Sequence, residues 1–213
     1  PTGASNVAYT LTEDPSTGYT DMGVTCIDNA DTSSVPHPVT LGEGDSITCT
    51  ISNDDEQPLL TLLKEVITDD GGSAVRTDWT LTATGSPTIS GVDGDLTITQ
   101  AEVNAGDFTL SESAGPDGYL AGDWECEGMT DSQLNGNILT IALGEDVTCT
   151  ITNDDVAPGL TLVKDVTNDD GGDALASDFT LRLNGGVYNG TTAFVSGDQP
   201  AVEAGTSYTL SED

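Results

Sequence analysis

Three residues of unlike chemistry, Lys64, Glu112 and Asn153, fall where a β-rich chain should bury apolar groups. Side chains alternate across a strand, so positions i, i+2 and i+4 share a face. Leu60, Leu62, Lys64 and Val66 share one such face, Phe108, Leu110 and Glu112 a second, and Val147, Cys149, Ile151 and Asn153 a third. Each otherwise apolar face therefore carries one polar group: an amine, a carboxyl and a carboxamide. An uncompensated buried charge costs several kcal/mol, so the three should be paired or neutral. Two chemistries fit. One is a Lys–Glu salt bridge with Asn as a hydrogen-bonding neighbour. The other is an amide crosslink: a desolvated Lys64 loses its proton more readily, a desolvated Glu112 holds its proton more tightly, and the neutral amine attacks the Asn153 carboxamide. Glu112 then shuttles protons, ammonia leaves, and the reaction happens once per domain, driven by proximity.

The elements that must position these groups occur more than once. Residues 49–85 and 149–185 are two closely similar copies of one sequence pattern. Cys49-Thr50-Ile51-Ser52-Asn53-Asp54-Asp55 returns as Cys149-Thr150-Ile151-Thr152-Asn153-Asp154-Asp155, and Asp69-Asp70-Gly71-Gly72 returns as Asp169-Asp170-Gly171-Gly172. Tyr9-Thr10-Leu11-Thr12-Glu13 echoes Phe108-Thr109-Leu110-Ser111-Glu112 and Tyr208-Thr209-Leu210-Ser211-Glu212. A long period held in register means tandem domains. Glu13 and Asn53 thus repeat two members of the trio before the complete copy, and Lys164 and Glu212 repeat two after it. Glu13, Glu112 and Glu212 are the candidate proton shuttles; Lys64, Asn153, Lys164 and Asn53 are the candidate crosslinking residues.

Short runs of Thr, Val, Ile, Leu and aromatics, broken by Gly, Asp, Asn and Pro every eight to twelve residues, predict an all-β fold with a sandwich in each repeat. No stretch supports a long amphipathic helix. Pro58 and Pro158 follow each Asn-Asp-Asp run and disfavour continuation of a central strand. The expected division is therefore 1–57 as the C-terminal half of one repeat, 58–157 as a complete repeat, and 158–213 as the N-terminal half of the next. A chain that opens on Pro1 in mid-repeat is expected to be a window on a longer array, or a subunit whose half-domains are completed by neighbours.

Composition narrows the function classes. Four Lys and Arg stand against 37 Asp and Glu, for a formal charge of −33. Phosphate backbones need a basic footprint, which excludes nucleic acid as a partner. Anionic membrane surfaces are disfavoured for the same reason, and no segment predicts direct membrane insertion. The acidity suits solubility and self-repulsion, or a surface that lives in salt or collects divalent cations. Cys26/Cys49 and Cys126/Cys149 share one spacing, which predicts one disulfide per repeat in an oxidising compartment. A loop of that size stabilises by about 3 kcal/mol in the chain-entropy model. Zinc is a poor alternative, because no CxxC occurs and the single histidine, His37, has Asn137 at its repeat-equivalent position.

The complete repeat also resembles a known family. Phe108-Thr109-Leu110-Ser111-Glu112, followed by Gly115-Pro116-Asp117-Gly118-Tyr119, is similar to the Y-x-L-x-E and P-x-G-Y signature of prealbumin-like (Cna-B-type) domains of bacterial pilins and surface adhesins. Leu60-Thr61-Leu62-Leu63-Lys64 and Thr150-Ile151-Thr152-Asn153 resemble that family's first and last strands. The resemblance implies tandem prealbumin-like or Ig-like sandwiches, with Lys64 and Asn153 as partners of an intramolecular isopeptide bond and Glu112 as its catalyst. It covers the complete repeat and both partial ones. The paired cysteines and the Asp-rich runs depart from the best-known pilins and mark an acidic, disulfide-containing subgroup.

Two further features leave alternatives open. If Lys64 meets Asn153, then Asp69, Asp70, Asp154 and Asp155 gather at one pole of the domain. Four carboxylates there suit calcium, a hard cation that prefers many oxygen ligands; Asp and Gly are equally what tight turns select. Trp79 and Trp124 read as core packing, with Trp124 near a cysteine, and Asn189-Gly190-Thr191 is a lone glycosylation sequon. No nucleophile–histidine pair or metal triad recurs, so no turnover enzyme and no required cofactor are expected. The reading is a structural repeat region of an extracellular fibre, pilus or adhesin stalk at the cell surface, partnered by copies of itself or by adjacent repeats. The alternative is an extracellular module whose variable loops, 85–105 and 185–205, recognise a carbohydrate or protein ligand.

Overall fold

The computed structural model describes residues 7–213, so the first six residues of the 1–57 segment lie outside the described residues. Among the described residues the chain is all-β, with two single-turn 3-10 segments, Arg76–Asp78 and Ala176–Asp178, and no α-helix. Among the described residues no helix is long and apolar enough to cross a membrane.

The first region contributes β1 (Ala8–Tyr9), β2 (Tyr19–Asp28), β3 (Ser34–Val35), β4 (Val39–Thr40) and β5 (Ile47–Asp55). The middle one contributes β6 (Leu59–Ile67), β7 (Thr80–Thr84), β8 (Ile89–Val92), β9 (Ala101–Glu102), β10 (Gly106–Glu112), β11 (Tyr119–Glu127), β12 (Gln133–Asn135), β13 (Ile138–Ile141) and β14 (Asp146–Asp155). Three more follow: β15 (Leu181–Gly185), β16 (Tyr188–Phe194) and β17 (Thr209–Glu212).

The middle strands form a four-stranded sheet ordered β11-β14-β6-β9 and a five-stranded sheet ordered β12-β13-β10-β7-β8. Strict alternation explains how they pack. Leu60, Leu62 and Lys64 of β6, and Val147, Cys149, Ile151 and Asn153 of β14, turn one way and are buried. Phe108 and Leu110 of β10, with Leu81, Ala83, Leu139 and Ile141, are buried on the facing sheet and share one core with the apolar residues of the first. Each large apolar side chain fully withdrawn from water contributes about 1.5–3 kcal/mol.

The strand that opens the middle region lies parallel to the strand that closes it. β6 and β14 run in register from Leu59 opposite Asp146 to Ile67 opposite Asp154, with Lys64 opposite Ile151. Asn153 is therefore one inward step beyond the residue facing Lys64. On its other side β14 pairs antiparallel with β11, so its backbone is satisfied on both edges.

The flanking regions repeat these strands with different neighbours. β5 repeats β14 in sequence and pairs antiparallel with β2, but its sheet is ordered β3-β2-β5, so β5 is an edge. Its residues alternate between half-buried and exposed, where those of β14 alternate between buried and half-buried or exposed. Residues 160–167 repeat β6 but form no strand among the described residues, and only an isolated bridge, Gly159 with Ala201, precedes them. The sheet beside them is ordered β16-β15-β17.

Candidate crosslink site and the acidic pole beside it

Lys64, Glu112 and Asn153 converge at one end of the middle core. The Lys64 side chain is 0% exposed, and its Nζ lies 2.8 Å from Glu112 Oε2. Asn153 Nδ2 donates to the other carboxylate oxygen, Oε1, at 2.9 Å. The Lys64–Glu112 contact is close, yet its angles fall outside hydrogen-bond geometry. Lys64 Nζ, Glu112 Oε2 and Asn153 Oδ1 are consequently buried atoms with no directed hydrogen-bond partner. Of the three, only Asn153 Oδ1 also lacks an ion-pair partner, and an unpartnered buried carbonyl oxygen is rare in a finished core, where it costs on the order of 1–3 kcal/mol.

Burial pushes the Lys64 amine below the ordinary lysine value, while the adjacent Glu112 carboxylate pushes it partly back. The net direction favours the neutral amine, the form with a lone pair to give. An aromatic wall closes the site: Lys64 Nζ sits 4.9 Å from the centre of a Trp79 ring, and Trp79 meets Tyr119 edge-on at 5.4 Å. Gly115 lies directly against the Trp79 indole at a φ of 63°, where a Cβ would collide with Nε1. The Gly115-Pro116 turn thus presses the tryptophan onto the amine.

The arrangement has the parts an amide-forming condensation needs: an amine biased towards neutrality, a carboxylate touching it, and a carboxamide touching the same carboxylate. The same parts also make a salt bridge with an asparagine neighbour.

The flanking copies are placed differently. Lys164 Nζ lies 2.9 Å from Glu212 Oε2, donates to Oε1 at 3.1 Å, and stands 4.3 Å over the Phe179 ring. There the Lys side chain is 19% and the Glu side chain 46% exposed. Glu13 and Asn53 are both exposed, Asn53 on the edge strand β5. Arg182 pairs with Asp213 at 2.7 Å, which leaves Arg76 as the exposed cation without a salt bridge among the described residues.

The cysteines are joined as Cys26–Cys49 and Cys126–Cys149, with Cα–Cα distances of 4.0 and 4.1 Å. Both bridge directly opposed residues of neighbouring antiparallel strands. Cys149 shares the inward face of β14 with Asn153, and Trp124 packs in the same core.

Beyond Asn153, the acidic pole is organised by a residue whose particular role the sequence did not single out. Asp155 is buried, and its carboxylate accepts from the backbone N–H of Asp70 at 3.1 and 3.2 Å and of Gly72 at 2.6 Å. Tyr119, opposite Asp155 on β11, accepts from the Ala74 N–H at 2.9 Å. The loop lies so close that a Cβ on Gly72 would strike the Tyr119 hydroxyl and the Asp155 carboxylate. The joint return of Asn-Asp-Asp, Gly-Tyr and Asp-Asp-Gly-Gly was the available signal for this tether. Carboxylate oxygens of Asp69, Asp70 and Asp155 lie within 4.8 Å of one another, while Asp154 points to the exposed face of β14. Desolvation, and then the charges of Asp69, Asp155 and Asp154, raise the Asp70 carboxyl above its ordinary value. Both Asp155 oxygens already serve loop amides, as turn chemistry requires.

A family model described as "prealbumin-like fold domain" matches this chain over residues 3–51, 55–151 and 155–213. Among solved structures, the pilus adhesin SpaC from Lactobacillus rhamnosus GG is similar at 17% identity and a TM-score of 0.33. That match covers 96% of this chain and 35% of the adhesin, so the chain spans about a third of that protein's length. No curated protein matches. With its strands assembled into sheets and the family model matching three successive stretches, the chain belongs to the prealbumin-like fold domain family.

Proposed function

We propose that the chain is a structural repeat region of an extracellular fibre, pilus or adhesin stalk, built as a half repeat (1–57), a complete repeat (58–157) and a second half repeat (158–213). Its work is mechanical and chemical endurance at the cell surface, not turnover. The first half repeat and the complete repeat are each held by a disulfide, and the complete one also by an isopeptide bond between Lys64 and Asn153, formed with the help of Glu112. One observation carries this reading: a fully buried amine within 2.8 Å of a carboxylate that also holds the carboxamide, with the amine otherwise lacking a directed partner.

The reaction balances without any outside reagent. Glu112 takes a proton from the Lys64 ammonium, and the Nζ lone pair attacks Asn153 Cγ to form a C–N bond. Collapse of the tetrahedral adduct breaks the Cγ–Nδ2 bond. Glu112 delivers its proton to the departing nitrogen and then takes the second proton that Nζ must lose, so a neutral amide remains. Ammonia leaves, and that last proton passes to the ammonia or to solvent. Confinement substitutes for concentration, because the groups are held in one dry pocket. A Lys–Asn amide would also remove the buried charge whose pairing is poorly directed.

Intact mass under denaturing and reducing conditions tests this. The expected result is a chain lighter by one ammonia, with full mass restored in Lys64→Ala, Asn153→Ala and Glu112→Ala variants. An unmodified native mass sinks the crosslink and leaves the salt bridge.

A further inference from the structure

The strand that carries Lys64 has a strand partner along the whole of one edge and along little of the other. β14 runs beside β6 from Leu59 to Ile67, whereas β9 pairs with Leu59 and Leu60 alone. Beyond that point a loop closes the second edge. The Leu62 N–H donates to the Ile98 carbonyl at 2.9 Å, and the Lys64 N–H donates to Asp93 Oδ1 at 2.9 Å. Lys64 is fully buried, so its backbone N–H needs an acceptor. Here a side chain supplies what a neighbouring strand would otherwise give.

The loop that presents Asp93 is internally braced. The Asp95 N–H donates to the Val92 carbonyl at 2.9 Å, closing a tight turn with Gly94 at a φ of 83°, where glycine is favoured. Asp95 Oδ1 accepts from the Thr97 N–H at 2.9 Å, and Thr97 Oγ1 donates to the Ser90 carbonyl at 2.9 Å. Ile98 then pins the far end of the loop in the core.

The copy around Lys164 has the same device with a different residue in it. Val92-Asp93-Gly94-Asp95 is matched by Val195-Ser196-Gly197-Asp198, within loops that otherwise diverge. There the Leu162 N–H donates to the Asp198 carbonyl at 3.0 Å, and the Lys164 N–H donates to Ser196 Oγ at 3.1 Å. Aspartate and serine share an oxygen aimed at the lysine's own N–H. They do not share a charge. Burial and Glu112 are what bear on the Lys64 amine. The common feature is therefore positional.

Position matters to this amine. Nζ stands at the end of a flexible four-carbon stem, and a small misplacement of reacting groups costs up to about a hundredfold in rate. We propose that Asp93 is a positioning residue for the Lys64–Asn153 crosslink, anchoring the Lys64 backbone from the edge opposite β14 so that Nζ is aimed at Asn153 Cγ. This rests on the crosslink reading. It gives part of the 85–105 loop a task inside its own repeat.

The test follows ammonia loss in time. The whole chain is made by cell-free synthesis under oxidising conditions, quenched in denaturant at intervals, and read by intact mass after reduction. Asp93→Ala should slow the loss by about tenfold or more. Asp93→Asn and Asp93→Ser each keep an oxygen acceptor and should run close to the native rate. Ile141→Val trims the core from the facing sheet without touching the lysine edge, and it too should keep the native rate. Thermal melts and closure of Cys126–Cys149 report that each variant has folded. An Asp93→Ala chain that crosslinks as fast as the native one overturns the proposal. So do Asn and Ser variants as slow as Ala, which would mean that charge acts, and an Ile141→Val chain equally slow, which would mean that lost stability alone acts. A native chain that never loses ammonia sinks the crosslink reading, and the role of Asp93 with it, whereas the other failures leave that reading standing.

Discussion

Lys64 and Lys164 begin in the same sentence of sequence and end in different surroundings. Each meets a glutamate within 3 Å and an aromatic ring within 5 Å. What separates them is the neighbouring strand. β14 lies along β6, carries Asn153 to the Lys64 pocket and excludes water, while residues 160–167 have no strand beside them and Lys164 keeps partial exposure. The burial that biases Lys64 towards its neutral form is therefore supplied by a strand almost ninety residues away in sequence, not by the lysine's own segment. On the crosslink reading, a repeat of this kind can react only when its first and last strands are side by side.

Removing the carboxylate from each copy gives the largest expected contrast. Glu112→Ala leaves a buried amine without its counter-charge and should cost about 3–5 kcal/mol, besides abolishing ammonia loss. Glu212→Ala breaks a partly exposed pair and should cost less than about 1 kcal/mol. Chemical denaturation of the two variants, followed through Trp79 and Trp124 fluorescence, checks the difference. Equal losses would mean that burial does not distinguish the two sites.

The disulfides give a narrower contrast. Both close loops of the same 23-residue separation, so the chain-entropy contribution is about 3 kcal/mol for each. Any difference must come from packing, since Cys149 is 0% exposed on β14 while Cys49 is half-buried on the edge strand β5. Replacing Cys126 and Cys149 by Ser should lower the melting temperature more than replacing Cys26 and Cys49.

Strand alternation made Lys64, Glu112 and Asn153 legible before any coordinates, because period-2 patterning fixes which residues share a face. The all-β class and the repeat were legible for a related reason: local pattern and turn chemistry are written in consecutive residues. The role of Asp155 was harder to read. It points to the same side as Asn153, but its partners are backbone N–H groups eighty-odd residues earlier, and backbone groups leave no mark in sequence. The parallel pairing of β6 with β14 is a similar case, since nothing local in either strand names its neighbour. Nor did the repeat itself reveal that Asn53 and Asn153 would differ in burial, because identical strands acquire different surroundings from different neighbours.

A pH series sharpens the Lys64 comparison further. Take Asn153→Ala, in which no amide can form and Lys64 keeps a titrating amine. Its folded-state value is lowered below the unfolded one, so the unfolded chain binds more protons in the window between them. Stability should therefore rise with pH as the solution approaches the ordinary lysine value of about 10.4. If the proposed amide locks the amine in the native chain, the native chain should lack that rise. Thermal melts across the alkaline range read both, and matching profiles would argue against the crosslink.

The smallest effect concerns Asp70, and its sign separates two views of the acidic pole. Desolvation and then the charges of Asp69, Asp155 and Asp154 raise its carboxyl. A raised acid holds its proton longer in the folded chain than in the unfolded one, so its contribution is favourable at low pH and is lost as pH rises through the folded value. Asp70→Asn removes that loss and should raise the melting temperature slightly near neutral pH, with the gain fading in acid. The tether survives the change, because it uses the backbone N–H of residue 70 and not its carboxylate. Asp170→Asn, in the exposed copy of the loop, should change nothing. A calcium ion held by Asp69, Asp70 and Asp155 would reverse the first result: the substitution would then lower the melting temperature, and a chelator would lower it in the native chain as well.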